Sequence, residues 1–220
     1  MSETRDIAVY GAGGYGREIA CMLQRINEAA PGGAPQWNFI GFFDDGVPAG
    51  TRNDYGEVLG GLDALNAFPR PLCIAIAIAS PRVLSTLPQK ITNPLVSFPT
   101  LIAPGTIFLD RDSVTLGRGN IIGWRSFISC NVTIGDFNIF VGVFSAGHDA
   151  HIGSGNAFFP EARISGHCTV GNANFFGMRT AMLQGISVGS NTRIGAGAFV
   201  MHKTKDGFLY LGNPARKAVF

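Results

Sequence analysis

From Leu116 to Val200 the chain repeats every six residues without a slip. A bulky apolar residue stands at Leu116, Ile122, Ile128, Ile134, Phe140, Ile152, Phe158, Ile164, Val170, Phe176, Met182, Val188, Ile194 and Val200, and only Ala146, among the fifteen positions of the register, is small. In nine of fourteen hexads glycine follows the register residue. A period of two makes a strand and one of 3.6 a helix. A period of six is a solenoid signature, one short strand and one turn per repeat. Three hexads make an 18-residue triangular coil, so the fifteen registers predict five coils of a left-handed parallel β-helix. Its corners are marked by the small, polar or β-branched residues two places before the register, among them Asn120, Ser126, Val132, Asn138, Ala162, Cys168, Thr180 and Thr192. Phe140, Phe158 and Phe176, 18 apart, are expected to stack in an interior column. Phe98 to Val114 carries looser repeats, two residues out of phase with the rest.

The first ninety residues follow another pattern. Asp6–Tyr10 reads as a buried strand, Arg17 to about Ala29 as a helix, Trp37–Phe43 as a second strand and Leu72–Ala79 as a third, nearly all apolar as buried parallel strands are. Between the first strand and the helix lies Gly11-Ala-Gly-Gly-Tyr-Gly16, which satisfies G-x-G-x-x-G. Glycines there let the backbone approach a phosphate at a helix N-terminus. Asp44-Asp45, ending the second strand, suits a sugar hydroxyl or a base edge. The expected organisation is a Rossmann-like α/β unit over residues 1–97 that binds a nucleotide-containing ligand, and a β-helix with a C-terminal tail over 98–220. A dehydrogenase would need a substrate domain with an acid/base residue. The solenoid takes that space, so a nicotinamide cofactor is not expected.

Thirty glycines in 220 residues are about twice the ordinary ~7%, and the repeat accounts for much of the excess. A net charge of +2 implies no polyanion partner such as nucleic acid. No uncharged apolar run reaches ~18 residues and the start of the chain has no signal-peptide core, so no membrane association is expected. Four scattered cysteines without a CxxC fit a reducing cytoplasm.

Chemistry is sought first at His148, which stands in Ser145-Ala-Gly-His-Asp149 beside the weak register position Ala146. Imidazole can take a proton near neutral pH, and Asp149 beside it can hold one tautomer and raise its basicity. His148 and His151 are three apart, a spacing that does not converge on a solenoid. No metal is expected there, and His151, His167 and His202 read as surface or corner histidines.

In order along the chain, Gly11-Ala-Gly-Gly-Tyr-Gly-Arg-Glu18, Gly41-Phe-Phe-Asp-Asp45, Val58-Leu-Gly-Gly-Leu62, the hexapeptide run, Gly147-His-Asp149 and Gly212-Asn-Pro-Ala-Arg216 resemble the PglD/NeuD-like sugar acyltransferases. The resemblance covers roughly residues 6 to 217. It implies a homotrimer of β-helices with acetyl-CoA between adjacent prisms, and an N-terminal unit that holds a UDP-, GDP- or dTDP-linked amino sugar. The residues it implies for the sugar nucleotide are Gly11, Gly13, Gly14 and Tyr15 around the phosphates, Asp44 and Asp45 at the sugar or base, and Ala79 after the third strand. It implies Ala157, Gly177, Met178, Gly195 and Ala196 along the coenzyme, with Lys203, Lys205, Arg216 and Lys217 near its phosphates. His148 takes the place of the general base and Asp149 that of its acidic partner. The implied activity is acetyl-CoA-dependent N-acetylation of the 4-amino group of a nucleotide-linked dideoxy sugar for bacterial surface glycans. The alternatives are O-acetylation of a sialic-acid-like sugar and a non-catalytic sugar-nucleotide-binding subunit. The chain departs from the family at Ala79-Ser80, where relatives often have glycine followed by asparagine, at Ala103, where histidine is common, at Ala157, where some relatives have histidine, and at Val141, where asparagine stands.

Overall fold

The computed structural model describes residues 4–218. In the N-terminal unit the elements are β1 (Arg5–Tyr10), α1 (Gly14–Glu28), β2 (Trp37–Phe43), β3 (Arg52–Asn53), β4 (Gly56–Gly60), α2 (Leu62–Asn66), β5 (Leu72–Ile76), α3 (Pro81–Lys90) and β6 (Val96–Ser97). They form a six-stranded sheet in the order β3-β4-β2-β1-β5-β6, parallel except for the β3–β4 hairpin. β1 from Ile7 onward and all of β5 are apolar and buried, as strands covered on both faces must be. α1 turns Ile19, Met22 and Leu23 onto the sheet, a spacing that puts them on one helical face. Gly16 makes that packing possible: a Cβ there would lie 1.8 Å from the Gly11 carbonyl oxygen. The third strand is shorter than the sequence indicates, ending at Ile76, because the chain then bends into the loop that opens α3. The β3–β4 hairpin, α2 and α3 emerge only in the structure.

From Leu101 the chain coils. Two-residue strands build three parallel faces, each pairing with the strand one coil on: Ile121–Ile122, Ile139–Phe140, Ala157–Phe158, Phe175–Phe176 and Arg193–Ile194 stack on the first face. Every register residue from Leu116 to Val200 is the second residue of such a strand, and from Ile122 onward each is at most 2% exposed. Three residues before each register position from Ile122 to Val200 the backbone is left-handed. Ten of those corners are not glycine, and Val143, Asp149 and His167 are among them, with φ between 52° and 57°. This conformation costs an L-residue roughly 1–2 kcal/mol. The ladder of hydrogen bonds to the coil on either side holds it in place.

Ile102 and Phe108 belong to the same prism. They pair with Ile122 and Ile128, and the two-residue phase shift is absorbed by a short 3₁₀ turn at Arg111–Ser113 before Thr115–Leu116. The out-of-phase segment is therefore a first coil with one enlarged corner. The aromatic column is present: Phe140 on Phe158 at 5.0 Å and Phe158 on Phe176 at 4.6 Å, nearly parallel. Asn120, Asn138, Asn156 and Asn174, wholly buried, form a second column in which each Oδ1 accepts the backbone N–H one coil on, at 2.7–2.9 Å.

Ala146 is not an opening in the prism. Phe144, in the corner slot usually filled by a small residue, turns inward. It is 1% exposed and rests on Phe140 and Phe158 at 4.4 and 5.0 Å. Large and small have exchanged places within one hexad, which keeps core volume constant. The weak register position beside His148 is thus filled from within its own hexad.

The outer residues of the first face, Leu101, Ile121, Ile139 and Ala157, are at most 1% exposed and share one apolar cluster with Leu84 and Leu87 of α3 and with the sheet of the N-terminal unit. α3 approaches the prism so closely that a Cβ on Gly155 would lie 2.7 Å from Ser85 Oγ. The two units are thus joined by a continuous core.

Candidate active site

The Gly-rich loop runs from the carboxyl end of β1 into α1. Gly11 has φ +111° and donates its N–H to the Phe43 carbonyl at 2.7 Å. Gly13 precedes α1 in extended conformation, with open space where a side chain would stand, and Gly14 begins the helix. Tyr15 packs on the core with its hydroxyl buried and unpartnered, and burial pushes that phenol well above its ordinary range. The sheet order changes direction at β1, leaving a crevice outside the carboxyl ends of β1 and β5, where ligands bind in open α/β sheets. A cavity of about 190 Å³ lies there, lined by Tyr10, Asp45, Ile78 and Lys90 among others. Asp44 accepts from the Ala12 N–H at 2.8 Å and from Gly46, while Asp45 accepts from the Tyr10 hydroxyl at 2.6 Å and from the N–H of Leu62 at the start of α2. The acidic pair thus props the loop and α2, and Asp45 also lines the cavity. Burial first, then the Asp45 hydrogen bond, raises the Tyr10 phenol and keeps it protonated.

His148 and Asp149 occupy the corner after the strand Ser145–Ala146 on the second face of the prism. His148 Nδ1 lies 2.8 Å from Asp149 Oδ2, and Asn131, one coil earlier at the same corner, donates to Asp149 Oδ1 at 3.2 Å. The His148 hydrogen bond first, then that from Asn131, holds the Asp149 carboxyl below its ordinary range. An ionised carboxylate only accepts, so Nδ1 carries the imidazole proton and Nε2 keeps its lone pair. The ring rests against Gly166 of the next coil, where a Cβ would lie 2.6 Å from Nε2. The side chain of His148 is 45% exposed.

His167, read from the sequence as an ordinary corner histidine, stands one coil above Asp149, its ring edge-on to His148 with centroids 4.8 Å apart and its Nδ1 3.7 Å from Asp149 Oδ2. The sequence signal for both Gly166 and His167 is the coil length: each is 18 residues beyond a residue of the pair.

The positions expected along the coenzyme separate into two groups. Met178 and Ala196 are exposed and stack on the corner after the first face, with Gly195 half-buried beside them. Ala157, also expected there, is 0% exposed and belongs to the apolar cluster that contains Leu84 and Leu87. Gly177 is also buried, its Cα facing the Ala196 backbone one coil on, so it spaces the coils. Ala103, Val141 and Ala79 pack against the same interdomain core. At each departure from the family pattern the chain therefore has apolar packing.

A Gly-rich loop, a hexapeptide-repeat prism and an exposed His–Asp pair thus occur together in one chain, and the likeness to known proteins follows the same order. Residues 6–91 match the PglD N-terminal domain family. Over 98% of its length the chain superposes on the whole acetyltransferase domain of PglB from Neisseria gonorrhoeae, with 24% identity and a TM-score of 0.86. WeeI from Acinetobacter baumannii gives 26% identity and 0.85 over 98% of this chain and all of that one. PerB from Caulobacter crescentus, solved with CoA and GDP-perosamine, gives 23% and 0.84 over 97% of each chain. No curated protein matches the sequence. Among the described residues no helix is long and apolar enough to cross a membrane.

Proposed function

We propose that the protein is an acetyl-CoA-dependent N-acetyltransferase acting on the 4-amino group of a nucleotide-linked amino-dideoxy sugar in bacterial surface-glycan synthesis. The observation that carries this reading is the His148–Asp149 pair, fixed in one tautomer at an open corner of the prism. His148 Nε2 takes a proton from the sugar amine as its nitrogen attacks the thioester carbonyl. A main-chain N–H beside the imidazole, such as that of Gly166, is suited to the developing oxyanion, where one such donor is worth about 3 kcal/mol. Collapse of the intermediate expels the coenzyme thiolate. In this reading residues 1–97 hold the sugar nucleotide through Gly11, Gly13, Gly14 and Tyr15, with Asp44, Asp45 and Ala79 assigned to the sugar or base, and residues 98–220 carry the transfer. The relative solved with CoA and GDP-perosamine supports both substrates.

A homotrimer is part of the same reading. Met178 and Ala196 lie on a different edge of the prism from His148, so one chain cannot bring them together, and a second copy can. Ile107 and Phe127, neighbours on the outer second face, and Trp124 and Val143 at its border are exposed apolar residues suited to such a contact. The four cysteines are free, which suits a reducing cytoplasm.

The test is thiol release from acetyl-CoA with UDP-, GDP- and dTDP-linked 4-amino sugars, each product analysed as amide or ester. One amino sugar is expected to be turned over to an amide, and His148→Ala is expected to lower kcat by roughly 10²–10⁴. An ester product, or near wild-type turnover by that variant, overturns the reading. Sedimentation checks the trimer.

A further inference from the structure

The corner that holds the base contains one group more than acyl transfer uses. His148, Asp149 and His167 each present one ligating atom, and the three atoms lie within 4.8 Å of one another. We propose that these three residues form a site for a zinc-class divalent cation, and that filling it switches the base off. The second half of the proposal rests on the acyltransferase reading, and the first does not.

The donor set is two imidazoles and a carboxylate, as in zinc sites that keep an open fourth position for water. Nitrogen donors select zinc, cobalt or nickel over magnesium and calcium. With ligand bonds of about 2.0–2.1 Å, neighbouring atoms of a tetrahedral site stand roughly 3.3 Å apart. The separations here bracket that value, at 2.8 Å from His148 Nδ1 to Asp149 Oδ2 and 3.7 Å from Asp149 Oδ2 to His167 Nδ1. The three side chains spring from a stiff frame. Asp149 and His167 share the left-handed corner conformation on successive coils, and the His167 N–H donates to the His148 carbonyl at 2.8 Å. Asn131 supports the other carboxylate oxygen, as outer partners do around metal ligands.

The consequence for His148 follows from its two nitrogens. In the working pair the proton sits on Nδ1 and the lone pair on Nε2. A cation at Nδ1 takes the lone pair there, and the ring proton passes through solvent to Nε2. No proton is gained or lost, but Nε2 becomes a donor and cannot accept from the amine.

The probes are zinc chloride, followed by titration calorimetry, and cobalt(II), followed by the visible bands of a tetrahedral centre, each with wild type and His167→Ala. Wild type is expected to bind about one cation per chain, and His167→Ala about 10²-fold more weakly, with loss of the tetrahedral bands. Acyl transfer by wild type is expected to fall as the site fills and to return on chelation. The ratio of rates with and without zinc is expected to stay near one for His167→Ala at the same zinc concentration. Equal coenzyme in both arms cancels capture of zinc by the released thiol. Equal affinity in the two proteins overturns the site, and stoichiometric binding without inhibition overturns the switch. If no sugar is turned over, the acyltransferase reading fails separately, while calorimetry and the cobalt spectrum still decide the site.

Discussion

In the α/β unit a single loop meets several demands at once. Gly11 bonds to β2, Ala12 is propped by Asp44, Gly13 leaves room for a ligand, and Gly16 lets α1 touch β1. In the prism each demand is repeated every coil and shared along a column: aromatic rings, asparagines, left-handed corners. Constraint concentrated in six residues has no local substitute, whereas constraint spread over a column can be met by neighbours. The Phe144–Ala146 exchange shows this, since one hexad has lost its register residue and kept its core.

The largest effect tests that exchange. Phe144→Ala removes a buried ring and is expected to cost about 3–5 kcal/mol in chemical denaturation. Ala146→Leu is expected to have opposite signs in two backgrounds: it overpacks the wild-type coil, at about 1–3 kcal/mol, and restores stability to Phe144→Ala. If it destabilises both, the coil does not trade volume locally and the contrast with the loop fails.

The loop should show no such rescue. Gly16→Ala forces a methyl against the Gly11 carbonyl, main chain that cannot turn aside. A cost of about 1–3 kcal/mol is expected, felt first at Trp37, buried in the α/β unit, and later at Trp124, on the prism. The chain has only these two tryptophans, so fluorescence of single-tryptophan variants separates the units. Simultaneous loss of both signals would mean that the shared core at α3 makes one cooperative unit of the whole chain.

Asp149→Asn is a milder change, because asparagine accepts the left-handed corner. The fold should remain, and kcat is expected to fall about 10–10²-fold as the imidazole loses its fixed tautomer. The Asp149 carboxyl is held below its ordinary range by His148 and Asn131. A lowered carboxyl stabilises the fold above the unfolded pKa and loses that contribution as pH falls toward the folded value. The stability difference between wild type and variant should therefore persist down to about pH 4 and close only below it. Closure near pH 6 would place the coupling on another group.

Much of the prism is legible in the sequence because its period is set by backbone stacking: each register residue from Leu116 to Val200 falls at the end of a strand. The first coil is harder to read, since two extra residues at Arg111–Ser113 shift the phase without breaking the stack. In the α/β unit β1, α1 and β2 are legible from apolar runs and glycines, whereas α3 is not: it is short, carries Pro88 inside and buries only Leu84 and Leu87. At the site the His148–Asp149 contact follows from adjacency, but His167 and Gly166 enter through a coil length that places distant residues side by side. The burial of Ala157, a position matched by resemblance, is likewise legible only in the structure, where it joins the apolar cluster that also contains Leu84 and Leu87.

The smallest effect on stability separates ligand from scaffold within the loop. Gly13 has φ −72°, which any residue adopts, and nothing lies within 4 Å of where its Cβ would stand. Gly13→Ala should therefore leave the denaturation midpoint within about 0.5 kcal/mol of wild type, in contrast to Gly16→Ala three residues on. Its glycine matters only if a phosphate approaches the backbone there, so the variant should weaken sugar-nucleotide binding about tenfold, read by calorimetry, and raise KM with kcat little changed. Unchanged binding together with unchanged stability would mean that the loop is a strand-to-helix turn alone. The sugar nucleotide would then be held elsewhere, and the concentration of constraint in these six residues would be a matter of packing only.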